Sequence, residues 1–290
     1  MTTAINKFLF NSTLTKIGNA LPAPLKDCVK SLIRVPRRRA FAMTYYKTPL
    51  KLVDEWASKY SEDTNFYYKL TKSNRNHLAH LLAHLTGKPL GEITNYFDEL
   101  EDDNELRTHI ERGVKESGYG SDIVVNYGRR IGWYAFARLM KPKVIVETGV
   151  DHGVGSCILA SALLRNAQEG FPGKYYGTDI NPWAGKLLEG KYATVGQILY
   201  GDSIESLRKM AEPIDIFIND SDHSADYEYN EYRTVEHLLS PHSVILGDNA
   251  HVSDSLSTFA EETGRPFIFF AEKPADHWYP GAGIGISISG

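Results

Sequence analysis

Residues 214–251 read IDIFINDSDHSADYEYNEYRTVEHLLSPHSVILGDNAH. Ile214 to Asn219 is apolar and β-branched, the composition of a buried strand, and it breaks into Asp220-Ser221-Asp222-His223. Ser243 to Gly247 is a second such strand and breaks into Asp248-Asn249. A helix beginning near Asp226 joins the two. A crossover helix makes its flanking strands parallel, so both polar turns emerge at one sheet edge. Asp220, Asp248 and Asn249 then converge, although 28 residues separate the two aspartates. Two carboxylates and an amide oxygen form a hard, oxygen-only donor set that suits magnesium or calcium. His223, three residues beyond Asp220, stands beside that set as a candidate base. Asp, Asn and Ser also serve as ordinary turn and cap residues, which is the plainer reading of any one of them alone. Four together at the carboxyl ends of two adjacent strands favour a site.

The pattern extends in both directions. Upstream lie KVIVETG (143–149), a helix over 155–168, KYYGTDI (174–180), a helix near 183–190, GQILYGD (196–202) and a helix over 203–210. Downstream come a helix near 254–263, PFIFFAE (266–272) and GIGISIS (283–289). Strands separated by helix-length segments indicate an α/β fold: a doubly wound, seven-stranded sheet with helices on both faces. Only a loop of about ten residues joins the last two strands, too short for a parallel crossover, so the last strand is expected to run antiparallel.

Before the sheet, Arg129 to Met140 reads as a helix rich in aromatics. Residues 46–120 read as a small helical region. Thr48-Pro49 has the form of an N-cap with proline at the first helical position. NHLAHLLAHLT (76–86) puts leucines 78, 81, 82 and 85 on one face and stops at Gly87. His77, His80 and His84 on that helix read as a solvated face, since no cysteine or carboxylate accompanies them within it. The acidic run between Asp98 and Glu105 also reads as solvated. Residues 1–45 form a basic segment in which Asp27 is the single acid before residue 40. That composition is compatible with peripheral contact with a membrane.

Overall composition limits the function. With 42% hydrophobic and 23% charged residues the chain is an ordinary globular protein, and a net charge of −4 argues against a nucleic-acid binder. Cys28 and Cys157 make neither a disulfide framework nor a zinc site. No apolar run approaches the ~20 residues of a membrane span, so a cytoplasmic, reducing setting is expected, membrane-peripheral at most. A homo-oligomer is compatible with everything above.

The other candidate site residues lie at the ends of the earlier strands. Glu147-Thr148-Gly149-Val150-Asp151-His152-Gly153-Val154-Gly155, followed by Ser156, leaves the first strand and opens a helix. Glycines there let the backbone approach a ligand closely. Their spacing is not G-x-G-x-x-G, which weakens the case for a dinucleotide. Asp179 ends the second strand, where a carboxylate can accept from both ribose hydroxyls. Asp202, in Gly201-Asp202-Ser203, can hold an adenine amino group, cap the helix that follows, or do both.

In this order, the features over roughly residues 125–290 resemble the class I methyltransferases that use S-adenosylmethionine. E-T-G-x-x-x-G-x-G is similar to their first motif, Asp179 to their ribose acid and Asp202 to their adenine-side acid. Among them the chain is most similar to the metal-dependent O-methyltransferases, catechol and macrolide-sugar O-methyltransferases included. The resemblance implies a Rossmann-like methyltransferase domain over 121–290. It also implies a donor site of Glu147, Gly149, Gly153, Gly155, Ser156, Asp179, Asp202, Ser203 and Asp220, a Mg2+ ion on Asp220, Asp248 and Asn249, and His223 as base. D-S-D-H is also similar to a turn of the cephalosporin-hydroxylase-like proteins, which share the fold but differ in chemistry. The helical segment 45–118 has no counterpart in this resemblance. The function expected is Mg2+-dependent methylation of a hydroxyl on a sugar, glycan or glycolipid, with a phenol second. Trp183, Tyr227, Trp278 and Tyr279 are aromatics that either pack or stack on that acceptor. The rivals are an NAD-dependent oxidoreductase on the same kind of sheet and a non-catalytic binding protein.

Overall fold

Two β-branched runs become the two central strands, β1 (Val144–Thr148) and β4 (Ile214–Asn219), every residue of the first being buried. The structure, a computed structural model, describes residues 22–59, 67–117, 124–248 and 250–289, apart from the side chains at 23–30 and 33. Around the central pair lie β2 (Lys174–Asp179), β3 (Gly196–Tyr200), β5 (Leu239–Gly247), β6 (Phe267–Ala271) and β7 (Gly283–Ile288). The seven strands run in the order β3-β2-β1-β4-β5-β7-β6. The first five are mutually parallel. β7 inserts between β5 and β6 and is antiparallel to both, as the short final loop requires.

Strand order reverses between β1 and β4. Successive crossovers there leave in opposite directions, which opens a crevice at the carboxyl ends. Alternate strand residues supply the two faces. Ile145, Ile216, Ile218, Val244 and Leu246 pack with α5 (Arg130–Met140) and α6 (Val154–Gln168), where Trp133, Phe136, Ile158 and Leu159 are fully buried. Val144, Val146, Phe217 and Ile245 pack on the other face with α7 (Ser203–Arg208), α8 (Ala225–Val235) and α9 (Ser255–Glu262), through Leu207, Tyr232, Val235, Leu256 and Phe259.

The helices before the sheet share its core. α2 (Lys72–Thr86), α3 (Leu90–Glu101) and α4 (Asn104–Glu116) bury Leu78, Leu82, Ile93, Phe97, Leu100, Leu106, Ile110 and Val114 in the same cluster as Trp133. Three- and four-residue spacing puts these side chains on one stripe of each helix. Gly87 ends α2 in the left-handed region with φ +66°, as its place after the leucine face suggests. His77, His80 and His84 are exposed. The acidic stretch divides rather than continuing as one helix, because Asp103 accepts from the amide of Leu106 at 2.9 Å and starts α4.

Two local expectations are corrected. The chain does not begin a helix at Thr48-Pro49: α1 runs from Ala23 to Lys59 with Pro36 and Pro49 inside it. Proline's fixed φ is itself helical, so each one removes a single hydrogen bond without ending the run of dihedrals. The helix expected near 183–190 is a series of turns followed by one 3-10 turn at Tyr192–Thr194. Gly185 and Gly190 there adopt φ +70° and +55°, conformations that no helix contains. The chain divides into two units, Met1–Lys59 and Tyr60–Gly290. No helix among the described residues is long and apolar enough to cross a membrane.

Close approach of the two central strand ends generates a stability prediction. Gly149 has φ +78°, and a Cβ there would lie 2.0 Å from the carbonyl oxygen of Asp220. Backbone strain and overpacking act together at that position, so Gly149→Ala is expected to lose about 2–4 kcal/mol in urea unfolding. An unchanged midpoint contradicts this account of the turn.

Candidate functional site

A cleft of about 1110 Å³ opens at the carboxyl ends of β1 to β5. That is large enough for a nucleotide-sized ligand together with a small second molecule. Gly149, Val150, Asp151, His152 and Gly155 line it after β1, Asp179 and Asn181 after β2, and Gly201, Asp202 and Ser203 after β3. Asp220, Ser221, Asp222 and His223 enter it after β4 and Asp248 after β5. Residues far apart in the chain thus reach one cavity because their strands are parallel and in register.

At the end of β2 the Asp179 carboxylate already holds the glycine turn in place. Its Oδ2 accepts from the amides of Val150 at 3.1 Å and Asp151 at 3.0 Å, and its Oδ1 accepts from Asn181 at 2.8 Å. Both lone pairs of Oδ2 are taken, and Oδ1 keeps one for a ligand hydroxyl. Asp202 caps α7, its Oδ1 accepting from the amide of Glu205 at 2.8 Å, while its Oδ2 accepts from the Tyr227 hydroxyl at 2.9 Å. The cap reading of Asp202 therefore holds, and its side chain still borders the cleft. Gly153 opens α6 at φ +96°. Gly155 is needed for packing, since a Cβ there would lie 2.3 Å from Oε1 of Glu147. Ser156 is fully buried and shares a 2.7 Å hydrogen bond with the Tyr175 hydroxyl. Its contacts are with the core behind the turn.

Glu147 is buried and accepts from the Tyr175 hydroxyl. Burial pushes its carboxyl up to about 7, against the lowering effect of that hydroxyl and of the Arg130 charge. A second buried acid, Glu231 of α8, was not singled out from sequence. It accepts from Thr148 Oγ1 at 3.1 Å, Ser221 Oγ at 2.6 Å, Asn219 Nδ2 and Ser203 Oγ. One carboxylate thereby binds the ends of β1 and β4, the turn after β4 and the start of α7. Its only sequence signal is position, because Glu228, Glu231, Tyr232 and Val235 share the inward stripe of α8.

At the other end of the cleft Asp220 and Asp248 meet. Asp248 is buried, Asp220 is half-buried, and each carboxyl group lies close enough to perturb the other. Arg129 is the group that sequence reading missed. Its guanidinium forks onto Asp248, Nε donating to Oδ1 at 2.5 Å and Nη2 to Oδ2. Its Nη1 donates to Glu272 Oε1 at 3.2 Å and to the Tyr68 hydroxyl at 3.1 Å. Burial raises the Asp248 carboxyl, but Arg129 outweighs it and holds the group below the ordinary carboxylate range. Asp220 has no such partner: burial, and then the neighbouring Asp248 charge, push it well above that range.

The expected cation on Asp220, Asp248 and Asn249 can be tested against these side chains. Asn249 lies outside the described residues. Asp248 offers both oxygens to a guanidinium, and the carboxyl of Asp220 is shifted up, towards its neutral form. Among the described residues no group of three or more His, Cys, Asp or Glu could hold a metal ion. The arrangement does not present a free donor set to a divalent cation. His223 is exposed and lines the cleft. Asp222 beside it accepts from the amide of Ser224 at 2.7 Å, and this bond, reinforced by His223, holds its carboxyl below the ordinary range. Trp183 is exposed and lies outside the cleft lining, whereas Tyr227 and Tyr279 belong to it.

Comparison with known proteins follows the same lines. Residues 146–250 match the model of a family described as a methyltransferase domain. No curated protein matches the chain. Among solved structures it is similar to the O-methyltransferase TomG from Streptomyces achromogenes in complex with SAM, at 18% identity and a TM-score of 0.47, covering 65% of this chain and 90% of that one. It is also similar to an O-methyltransferase from Bacillus cereus in complex with SAH, at 14% identity, a TM-score of 0.47 and coverage of 65% and 92%. A putative caffeoyl-CoA O-methyltransferase from Staphylococcus aureus shows 16% identity, a TM-score of 0.48 and coverage of 76% and 100%.

The raised carboxyl of Glu147 carries a signed pH dependence. In the folded chain burial pushes the group up to about 7 from its ordinary 4.5. The folded state therefore holds a proton that the unfolded state has released across that window. Its contribution is complete below about pH 4.5 and is lost as pH rises towards 7, by roughly 1.4 kcal/mol per unit. Glu147→Gln removes the titration and keeps an acceptor for Tyr175. It is expected to flatten the fall in stability between those limits and to unfold at higher urea than the parent at pH 8. Parallel stability profiles for the two proteins contradict the assignment.

Proposed function

We propose that this chain, whose residues 146–250 match a family described as a methyltransferase domain, moves a methyl group from S-adenosylmethionine to a hydroxyl oxygen of a sugar, glycan or related small molecule. The observation that carries the reading is the single cleft: the glycine turn, Asp179 and Asp202 line one part of it, and His223 with Asp220 and Asp248 lines another. When bound, S-adenosylmethionine supplies a methyl group made electrophilic by its sulfonium.

This chain's residues fit that donor. The backbone around Gly149 carries no side chain, which leaves room for close approach to the nucleoside. Asp179 accepts from a ribose hydroxyl through the lone pair that its amide contacts leave free on Oδ1, and the Asp202 edge takes the adenine amino group. Glu231 and Asp179 fix the surrounding turns, so little of the site has to be ordered on binding. His223, at the mouth, takes the proton of the acceptor hydroxyl as its oxygen becomes nucleophilic. Tyr67, Tyr227, Tyr279 and the polar rim of Asp151, His152 and His251 border the space left for the acceptor. A mixed rim of this kind suits a polyhydroxylated ring, on whose apolar face aromatic side chains can pack.

The test is incubation of the full-length protein with methyl-labelled donor and a panel of sugar and phenolic acceptors. Label is expected in an ether linkage on a hydroxylated acceptor. His223→Gln should lower the maximal rate about 100-fold or more, leave donor affinity intact and remove one limb of the pH–rate profile. No transfer to any hydroxylated acceptor overturns the reaction, and an unchanged pH–rate profile in the variant removes His223 as the base.

A further inference from the structure

A buried guanidinium occupies the position at which a hydroxyl-activating cation is expected beside Asp248. The side chains of Arg129, Asp248 and Glu272 are 8%, 6% and 0% exposed. All three guanidinium nitrogens of Arg129 are engaged: two on Asp248, the third on Glu272 and Tyr68. Glu272 is itself anchored, because its Oε1 also accepts from the Tyr68 hydroxyl at 2.7 Å and from the amide of Ala282 at 2.8 Å. Aromatic rings close the outer side, with Tyr279 5.7 Å and His277 5.3 Å from the Tyr68 ring. The fork is a fixed part of the fold rather than a long side chain lying over an open site. A divalent ion sharing Asp248 would have to sit against this guanidinium at low dielectric, where like charges repel strongly. It would also have to compete for oxygens that already accept short, charge-assisted bonds.

We propose that Arg129 is the resident cation of this cleft, holding Asp248 in the place a metal would otherwise take, and that the chain neither binds nor needs a divalent ion there. Arg129 is a positioning residue: it acts through Asp248 on the neighbouring Asp220 and on the shape of the acceptor end. The inference rests on the methyl-transfer reading only for the word acceptor, since the exclusion of metal follows from the guanidinium fork alone.

The probe is Mn2+, titrated against the full-length protein with S-adenosylhomocysteine present and followed by the electron paramagnetic resonance of the free ion. No turnover is required, so failure here is distinguishable from failure of the methyltransferase reading. The wild-type protein is expected to leave millimolar Mn2+ free. Arg129→Met, which keeps the apolar stem and removes the charge, is expected to gain a stoichiometric Mn2+ site and a melting temperature that rises with added Mn2+. Arg129→Met/Asp248→Asn should lose both, and Arg129→Lys should exclude the ion as the parent does. A purely structural role for Arg129 does not generate a metal site. Stoichiometric Mn2+ binding by the wild-type protein that Asp248→Asn abolishes overturns the proposal, and this arm decides the matter even if Arg129→Met does not fold. A soluble Arg129→Met protein that gains no Mn2+ site overturns it equally.

Discussion

The Arg129 guanidinium is the constraint on which the β4–β5 end of the cleft depends. It joins the residue just before α5 to the last turn of β5, to Glu272 just beyond β6 and to Tyr68 ahead of α2. A charge so deeply buried is tolerated only because every donor has a partner. Once formed, the pair decides its surroundings. It lowers the Asp248 carboxyl, leaves the Asp220 carboxyl raised beside it, and clamps the antiparallel edge of the sheet to its parallel centre. The ligand cleft is thus bounded on one side by a network that loses much of its stability if any one member is removed.

The β1–β3 end of the cleft rests on a different constraint, the reversal of strand order between β1 and β4. Parallel strands bring their carboxyl ends to one edge, and the reversal holds open a gap between the crossovers. Two acids then hold the loops around the gap. Asp179 binds the amides of the glycine turn, and Glu231 collects donors from Thr148, Ser203, Asn219 and Ser221. These loops are already held by hydrogen bonds before any ligand arrives, which favours affinity by reducing what must be ordered on binding.

Much of this was readable along the chain, for reasons that can be named. Strands buried on both faces read as unbroken apolar runs, so β1, β4 and the core of β5 stood out, and the polar residue after each marked the edge that would carry a site. The antiparallel last strand followed from loop length alone. The pairing of Arg129 with Asp248 did not, because 119 residues separate the partners and an arginine at a helix start looks like a solvated one. Nothing local distinguishes an aspartate waiting for a metal from one already bound to a guanidinium. Glu231 was hidden in the polar segment YEYNEY, where its burial depends on which stripe of α8 meets the sheet. The turns over 183–190 were taken for a helix on their length, although two glycines with positive φ forbid it. Pro49 misled in the opposite sense, because its ring marks a helix start as readily as it sits inside one.

The central claim is that the carboxyl ends of β1, β2 and β3 form a nucleoside site specific for a sulfonium donor and its product. Calorimetric titration of the full-length protein with S-adenosylhomocysteine, and separately with NADH, tests it most directly. The account predicts saturable one-to-one binding of S-adenosylhomocysteine, unchanged by excess chelator and weakened at least about tenfold in Asp179→Ala, with no heat from NADH. Binding of NADH with no response to S-adenosylhomocysteine contradicts it.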